Sequence, residues 1–451
     1  MPLALFGTDG ARGIANDTLT VALALDIARG AVVQLDRPAR VVIGRDTRVS
    51  GPMLEAALAA GFTEFGADVM LVGMVPTPAL AYLIPAMHAD VGVMISASHN
   101  PPQYNGIKLL DRAGRKWESD AEARVERAIR QRRWPEKSPD RVGRIFHYED
   151  SAVLMYRRHL LSIFAGQIAE DQVVLDVGHG AAAFTAPDVF QALGVKTTVL
   201  NAEPLGELIN VNCGATHPER VREAVLRIQA SLGLAFDGDA DRVIAVDGSG
   251  RIIDGDEILY VLATELERQG ELVNHEVVAT VMSNLGLERA LRQQGIRLVR
   301  TPVGDRWVAK TMRDSGAVLG GEQSGHVILK KWTETGDGLL TGLALLAAIH
   351  ARDVHLGEAV SAVERYPQIL RNVVVDTPVE DWRRIVGLAE AVEQAEEALG
   401  EEGRVLVRPS GTEPLLRIML EGRDVELIQQ WAHRLESVVR EALESAEAQR
   451  Q

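Results

Sequence analysis

Arg40-Val41-Val42-Ile43-Gly44-Arg45-Asp46 reads as a buried strand that runs out into a polar turn, and this stretch decides the fold. Its β-branched residues stand together without alternation, the pattern of a strand covered on both faces. Upstream, Leu23, Ile27, Ala31 and Leu35 recur at helical spacing within residues 19–35. Downstream, Ser50 is placed to cap a helix with Pro52 in its first turn, running to about Gly66. The same pattern returns at Gln172-Val173-Val174-Leu175-Asp176-Val177-Gly178 and at Glu276-Val277-Val278-Ala279-Thr280. Each run leads into polar or glycine-containing turn residues and then a helix. Short β-branched runs alternating with Ala/Leu-rich helices define an α/β protein. The recurrence reads either as three copies of one α/β unit or as ordinary repetition of strand–helix grammar.

Past Pro367 the rhythm changes: a helix over 379–399, a strand, a turn, a strand, and a charged helix from about Asp424 to the end. That order predicts a separate α+β domain. Two further joints stand out, the charged and Pro-broken residues 130–141 and the turn Asp247-Gly248-Ser249-Gly250.

The chain has 451 residues, which at about 150 per domain suggests three domains and leaves ample length for several cores. Aromatics are only 4 %, so those cores must rest on Ala, Val, Leu and Ile. A net charge of −15 repels nucleic acid and anionic membranes, and both are set aside as partners. Cys213 is the single cysteine, so neither a disulfide within the chain nor a thiolate metal site is available. The N-terminal stretch lacks the basic and apolar regions of a signal peptide, and a cytoplasmic location is expected. The most apolar helical run, Leu339 to Ile349, is far too short to span a bilayer.

Four constellations carry chemistry. Asp237-Gly238-Asp239-Ala240-Asp241-Arg242 follows the apolar run Leu232 to Phe236. Carboxylates at alternate positions of extended backbone point to one side, and such a set of hard oxygen ligands suits Mg²⁺ or Ca²⁺. An EF-hand is ruled out, since Arg242 and Gly248 occupy its obligatory Gly and Glu positions. A solvated acidic turn is the alternative. Ile95-Ser96-Ala97-Ser98-His99-Asn100-Pro101-Pro102 then sets Ser98 in a Pro-bounded turn as an exposed hydroxyl. Neighbouring side chains diverge in extended backbone, which argues against a Ser98–His99 hydrolytic pair. Gly321-Glu322-Gln323-Ser324-Gly325-His326 groups side chains suited to sugar hydroxyls, or forms a plain turn. Arg408-Pro409-Ser410-Gly411-Thr412-Glu413-Pro414, with Arg417 beyond, offers backbone N–H groups and two guanidinium forks for an anion, or a plain hairpin. Gly178-His179-Gly180-Ala181-Ala182-Ala183 meets a loose dinucleotide pattern, with Glu203 at the spacing of a ribose acid. Asp176 interrupts the strand before it, and the pattern is discounted.

These four motifs, in this order and with Phe6-Gly7-Thr8-Asp9-Gly10-Ala11-Arg12-Gly13 at the start, resemble the α-D-phosphohexomutase superfamily across essentially the whole chain. The resemblance implies four domains around a central cleft: three related α/β mixed-sheet domains and a C-terminal α+β domain. On this chain they fall at 1–145 (phosphoserine loop), 150–248 (metal), 249–365 (sugar) and 367–451 (phosphate). Gln323, Val303-Gly304-Asp305-Arg306 and Thr335-Gly336-Asp337-Gly338-Leu339-Leu340-Thr341 resemble the branch acting on glucosamine phosphates. The phosphomannomutase/phosphoglucomutase branch more usually has Met at position 323 and His at position 305.

The resemblance further implies that a phosphorylated Ser98 passes its phosphoryl group to glucosamine 6-phosphate, forms a 1,6-bisphosphate, and takes back the other phosphate. Asp237, Asp239, Asp241 and the phosphoserine would hold one Mg²⁺, with Arg12 and Arg242 stabilising the moving group. Lys108 and His326 are the acid/base candidates. Gly304, Asp305, Glu322 and Ser324 would bind the sugar, and Arg408, Ser410, Gly411, Thr412 and Arg417 the idle phosphate. Glucose or glucosamine 1,6-bisphosphate as activator, a separate phosphorylating activity and a homodimer belong to the same expectation. Its rivals are a phosphomannomutase/phosphoglucomutase, a metal-dependent phosphatase with Asp237 as nucleophile, and a nicotinamide oxidoreductase.

Overall fold

The run Arg40–Arg45 is a strand, with Val41 to Gly44 buried. The computed structural model in which it is seen describes residues 5–7, 9–35, 39–136, 138–168, 171–375, 381–409 and 415–448. The chain forms two compact units, Met1–Met282 with Gln294–Ser361, and Ser283–Gln293 with Ala362–Gln451.

The first unit holds three sheets. One contains β1 (Ala11–Ile14), β2 (Arg40–Arg45), β3 (Asp68–Met74), β4 (Val91–Ile95), β5 (Tyr104–Asp111) and β6 (Ile145–His147), in the order β1-β5-β4-β2-β3-β6. The second contains β7 (Gln172–Asp176), β8 (Lys196–Leu200), β9 (Leu232–Phe236), β10 (Val243–Asp247) and β11 (Ile252–Ile253), ordered β11-β10-β9-β7-β8. The third contains β12 (Glu276–Thr280), β13 (Arg297–Thr301), β14 (Leu319–Gly321) and β15 (Val327–Leu329), ordered β13-β12-β14-β15.

The recurrence in the sequence is a recurrence of pairing. In each sheet a central strand (β2, β7 or β12) lies parallel to two neighbours. One of those neighbours then turns back through an antiparallel hairpin: β4 to β5, β9 to β10, β14 to β15. The three hairpin loops are equivalent places in the fold. They carry Ser98, the aspartates 237–241 and the segment Glu322–His326, so the motifs read separately in the sequence are one device used three times. Continuous apolar runs make these strands: all residues of β4, β9, β10 and β12 are buried.

Two local expectations are corrected. The helix after β2 spans Gly51–Thr63, but Ser50 makes no capping bond. Its hydroxyl accepts from Asn105 Nδ2 at 2.9 Å, a tertiary partner that competes with the cap. In the second unit, the helix expected over 379–399 is a short 3₁₀ turn Trp382–Arg384 followed by a helix Leu388–Leu399. Gly387, at φ 78°, divides them, because a left-handed residue cannot continue a right-handed helix. That unit's sheet is antiparallel, β16 (Gln368–Val374), β17 (Gly403–Pro409) and β18 (Leu415–Gly422), ordered β16-β18-β17. Leu416, Ile418 and Leu420 on its inner face pack with Leu388, Val392, Ile428 and Leu435 of the helices.

Candidate active site

Ser98 follows β4 in a left-handed conformation, φ 51°. Local bonds impose it: the Ser98 N–H donates to Ser96 Oγ at 2.9 Å, and Ser96 Oγ donates to Asp46 Oδ2 at 2.6 Å. Arg48, wholly buried, gathers the loop from beneath. Its Nε pairs with Asp46 at 2.9 Å, and its two terminal nitrogens donate to the carbonyls of Ser98, Asn100, Pro101 and Tyr104 at 2.6–2.9 Å. Asn210 Nδ2 adds a bond to the Ser98 carbonyl at 2.8 Å. Two readings of the sequence change here. Ser98 is buried rather than exposed, because the aspartate loop lies against it: a Cβ on Gly238 would come within 2.7 Å of the Ser98 carbonyl. Its side chain also meets that of His99, Oγ to Nδ1 at 3.2 Å, since the backbone is left-handed rather than extended. Burial, then Arg242 and Arg12, pushes the His99 imidazole down to about 4, so the ring is neutral.

The aspartates also converge by a turn, not by alternation along extended backbone. Ala240 has φ 54°, and its N–H donates to the Asp237 carbonyl at 3.0 Å. Carboxylate oxygens of Asp237, Asp239 and Asp241 lie within 4.8 Å of one another, all buried. Ser98 Oγ donates to Asp237 Oδ2 at 2.6 Å. Asp239 Oδ2 accepts from Thr77 Oγ1 at 2.5 Å and from Lys108 Nζ at 2.9 Å. Lys108 is 3.1 Å from Asp9 and 3.8 Å from Asp241. Burial followed by mutual repulsion raises Asp237 well above the carboxylate range and also raises Asp241. Burial works upward on Asp239 too, but Lys108 and Thr77 outweigh it and hold that carboxyl low. Burial alone would lower Lys108; Asp239, Asp9 and Asp241 reverse this and keep it an ammonium.

The site fits a hard divalent cation. Asp239 Oδ1 and Asp241 Oδ1 are buried without a hydrogen-bond partner among the described residues, which leaves oxygen lone pairs for a metal. Carboxylates this close are costly unless a cation offsets them.

The third hairpin loop approaches from the other side. Its Gly325 carbonyl accepts from the Val243 N–H at 3.1 Å, and His326 bridges to Arg242. Glu322 Oε1 accepts from the Gly304 N–H at 3.1 Å, while Ser324 is exposed. Asp305 begins the helix Asp305–Ser315; its Oδ2 lies 3.6 Å from His326 Nε2 and is ion-paired to Lys116, which also pairs with Asp9. Asp9 in turn pairs with Arg12, whose Nη1 donates to Asn100 Oδ1 at 2.7 Å. Arg242 donates its backbone N–H to Asp237 Oδ1 at 3.2 Å, and its guanidinium lies 3.8 Å from Asp241. One connected network therefore holds Ser98, Lys108, Arg12, Arg242, His326, Asp305 and the three aspartates.

Arg408 and Arg417, in the second unit, are directly opposite each other on β17 and β18. Burial and the nearby Arg417 charge lower the Arg408 pKa, the penalty of facing like charges that an anion would relieve. Ser410, Gly411 and Thr412 lie outside the described residues. The sequence reading missed Arg48, Lys116 and Asn210, which support the site from loops, and Thr77, which opens the helix Thr77–Ala86; none of them lies in a quoted motif. The Gly178 pattern forms no phosphate cradle: Ala181 N–H is taken by the Gly238 carbonyl at 2.9 Å, and a 3₁₀ turn follows.

No helix among the described residues is long and apolar enough to cross a membrane. Family models of phosphoglucomutase/phosphomannomutase match along the chain: alpha/beta/alpha domain I at residues 3–136, domain II at 155–250, domain III at 254–366 and the C-terminal domain at 370–438. A phosphoglucosamine mutase of Thermoanaerobacter pseudethanolicus is 45 % identical over 445 residues, 97 % of this chain and 99 % of its own. One from Streptomyces avermitilis is 46 % identical over 454 residues, with coverage of 97 % and 99 %. Among solved structures, a phosphoglucomutase/phosphomannomutase family protein of Burkholderia thailandensis superposes with a TM-score of 0.81 at 27 % identity, covering 98 % of each chain.

Proposed function

This chain belongs to the phosphoglucomutase/phosphomannomutase family, and we propose from that membership and the surroundings of Ser98 that it interconverts glucosamine 6-phosphate and glucosamine 1-phosphate. The observation that carries the reading is the 2.6 Å contact of Ser98 Oγ with Asp237 inside a buried aspartate triad. Ser98 is the phosphoryl carrier. In the first transfer the bond from phosphorus to Ser98 Oγ breaks as a bond from phosphorus to the sugar hydroxyl oxygen forms, giving a 1,6-bisphosphate, and the proton lost by that hydroxyl balances the one gained by Ser98 Oγ. In the second, the other phosphoryl group returns to Ser98. Asp237, Asp239 and Asp241 would hold Mg²⁺, whose charge would offset that of the group in transit. Arg12 and Arg242 add positive charge beside it. Lys108, held as an ammonium, serves as a proton donor to an oxygen that gains charge. Glu322, Ser324, Gly304 and Asp305 are the residues assigned to the sugar, and Arg408, Ser410, Gly411, Thr412 and Arg417 those assigned to the phosphate that is not reacting. Holding the distant phosphate lets either hydroxyl be presented to Ser98, which accounts for reversibility.

Intact-mass measurement with site mapping, before and after incubation with glucosamine 6-phosphate or glucose 1,6-bisphosphate, should find one phosphoryl group on Ser98 that the monophosphate depletes and the bisphosphate restores. A hydroxylamine-labile phosphoryl group on Asp237 would instead establish the phosphatase chemistry. Rates with the glucosamine, mannose and glucose 6-phosphates decide the sugar: kcat/KM should be highest for glucosamine 6-phosphate. Chelation should remove turnover and added Mg²⁺ restore it, read in the same assay. Arg417→Gln should raise KM for the sugar phosphate by about tenfold, the scale of one lost charge-assisted contact, with kcat less affected.

A further inference from the structure

The stretch Thr335-Gly336-Asp337-Gly338 is absorbed by none of the roles above, yet it is wedged into the site. The Gly336 N–H donates to His326 Nε2 at 3.2 Å. A Cβ on Gly336 would lie 2.4 Å from the His326 ring, so only glycine lets the backbone reach the imidazole. Two residues on, the Gly338 N–H donates to the Ala240 carbonyl at 2.9 Å, and a Cβ there would come within 2.5 Å of the Arg242 carbonyl. Between them, Asp337 caps the helix Gly338–Arg352 through the Leu340 N–H at 2.9 Å and accepts from the buried Tyr156 hydroxyl at 2.7 Å. The turn is thus tied at three points: to the imidazole, to the aspartate loop and to the helix Glu149–Phe164 that carries Tyr156.

A backbone N–H cannot accept, so the ring nitrogen it faces cannot carry a proton. His326 is 2 % exposed, and its Nδ1 has no hydrogen-bond partner among the described residues. The competing arrangement, a protonated Nε2 facing Asp305 at 3.6 Å, is disfavoured because Gly336 aims its own proton at Nε2 and Asp305 is already paired with Lys116. We propose that the Gly336-Asp337-Gly338 turn is a positioning element for the reaction: it fixes His326 as the Nδ1–H tautomer and keeps that ring in register with the aspartate loop. His326 then presents a hydrogen-bond donor to a sugar oxygen and does not act as the proton acceptor. This rests on the mutase reading, which puts His326 beside the sugar.

The test begins with the full-length protein labelled with ¹⁵N-histidine, in long-range ¹H–¹⁵N correlation spectra, with the His326 signals assigned by their loss in His326→Gln. A protonated Nδ1 and bare Nε2 are expected; a protonated Nε2, alone or as imidazolium, overturns the proposal. In Gly336→Ala the added methyl should displace the ring, erase that signature and lower kcat at least tenfold with Ser98 still phosphorylated. Unchanged His326 signals and unchanged kcat in the folded variant would also overturn it. If Gly336→Ala does not fold, the wild-type spectrum decides alone. The spectrum needs no turnover: an Nδ1–H ring in a protein without mutase activity refutes the proposed function only, and an Nε2–H ring in an active mutase refutes this inference only.

Discussion

Ser98→Ala abolishes turnover while the fold survives. The variant, purified from a host lacking its own enzyme, should show kcat below detection in both directions and no phosphoryl group at position 98. The reason is chemical: no other hydroxyl among the described residues is shown donating to Asp237. The structural cost is small by comparison. Asp237 loses a hydroxyl donor, worth about 1–3 kcal/mol for a buried acceptor left unpaired. Burial and its two aspartate neighbours already raise the Asp237 pKa, which lets the carboxyl accept a proton and limits even that loss. The left-handed backbone at position 98 is imposed by Ser96, Arg48 and Asn210, none of which touches the missing hydroxyl. A thermal melt within a few degrees of wild type should therefore accompany the dead enzyme. Full activity in this variant would end the phosphoserine mechanism.

Arg48→Met should be as inactive and far less stable. Arg48 has no exposed surface, and its removal strips donors from four loop carbonyls and the charge partner from buried Asp46. Breaking a buried pair in this way costs about 3–5 kcal/mol. Arg48→Lys should rescue little, since an ammonium cannot fork onto carbonyls spread along a loop. The sign of the pH dependence identifies the cause. Burial already raises Asp46 above its usual value, and without Arg48 it rises further. A carboxyl with a raised folded-state pKa binds protons more tightly folded than unfolded. Its stability contribution is therefore best below the unfolded pKa and is lost as pH rises through the folded pKa. The melting temperature of Arg48→Met should thus climb, relative to wild type, as the pH is lowered through the raised folded-state pKa of Asp46. A variant with wild-type kcat and stability would show that the Ser98 loop holds its shape without this side chain.

The balance between sequence and structure follows from the range over which each residue acts. The strand Arg40–Arg45 and its two echoes were legible because an unbroken β-branched run has one low-energy use, burial in a sheet. The aspartate triad was legible because its ligands come from a single loop. Its geometry was not, since the convergence depends on Ala240 turning left-handed against the neighbouring chain. Ser98 was legible as a special serine but wrongly placed in solvent, for its burial is conferred by Gly238, which lies 140 positions along the chain.

What local composition determined is the α/β repeat, the order of the four motifs and the kind of ligand each attracts, since these depend on side-chain chemistry and spacing within a few residues. Tertiary structure alone decided that three of those motifs occupy equivalent hairpins, that Arg48 and Thr77 brace them, and that a glycine at 336 presses on His326. Hydrogen bonds and ion pairs act only over a few ångströms, and which distant residues come that close is settled by the packing of sheets and helices.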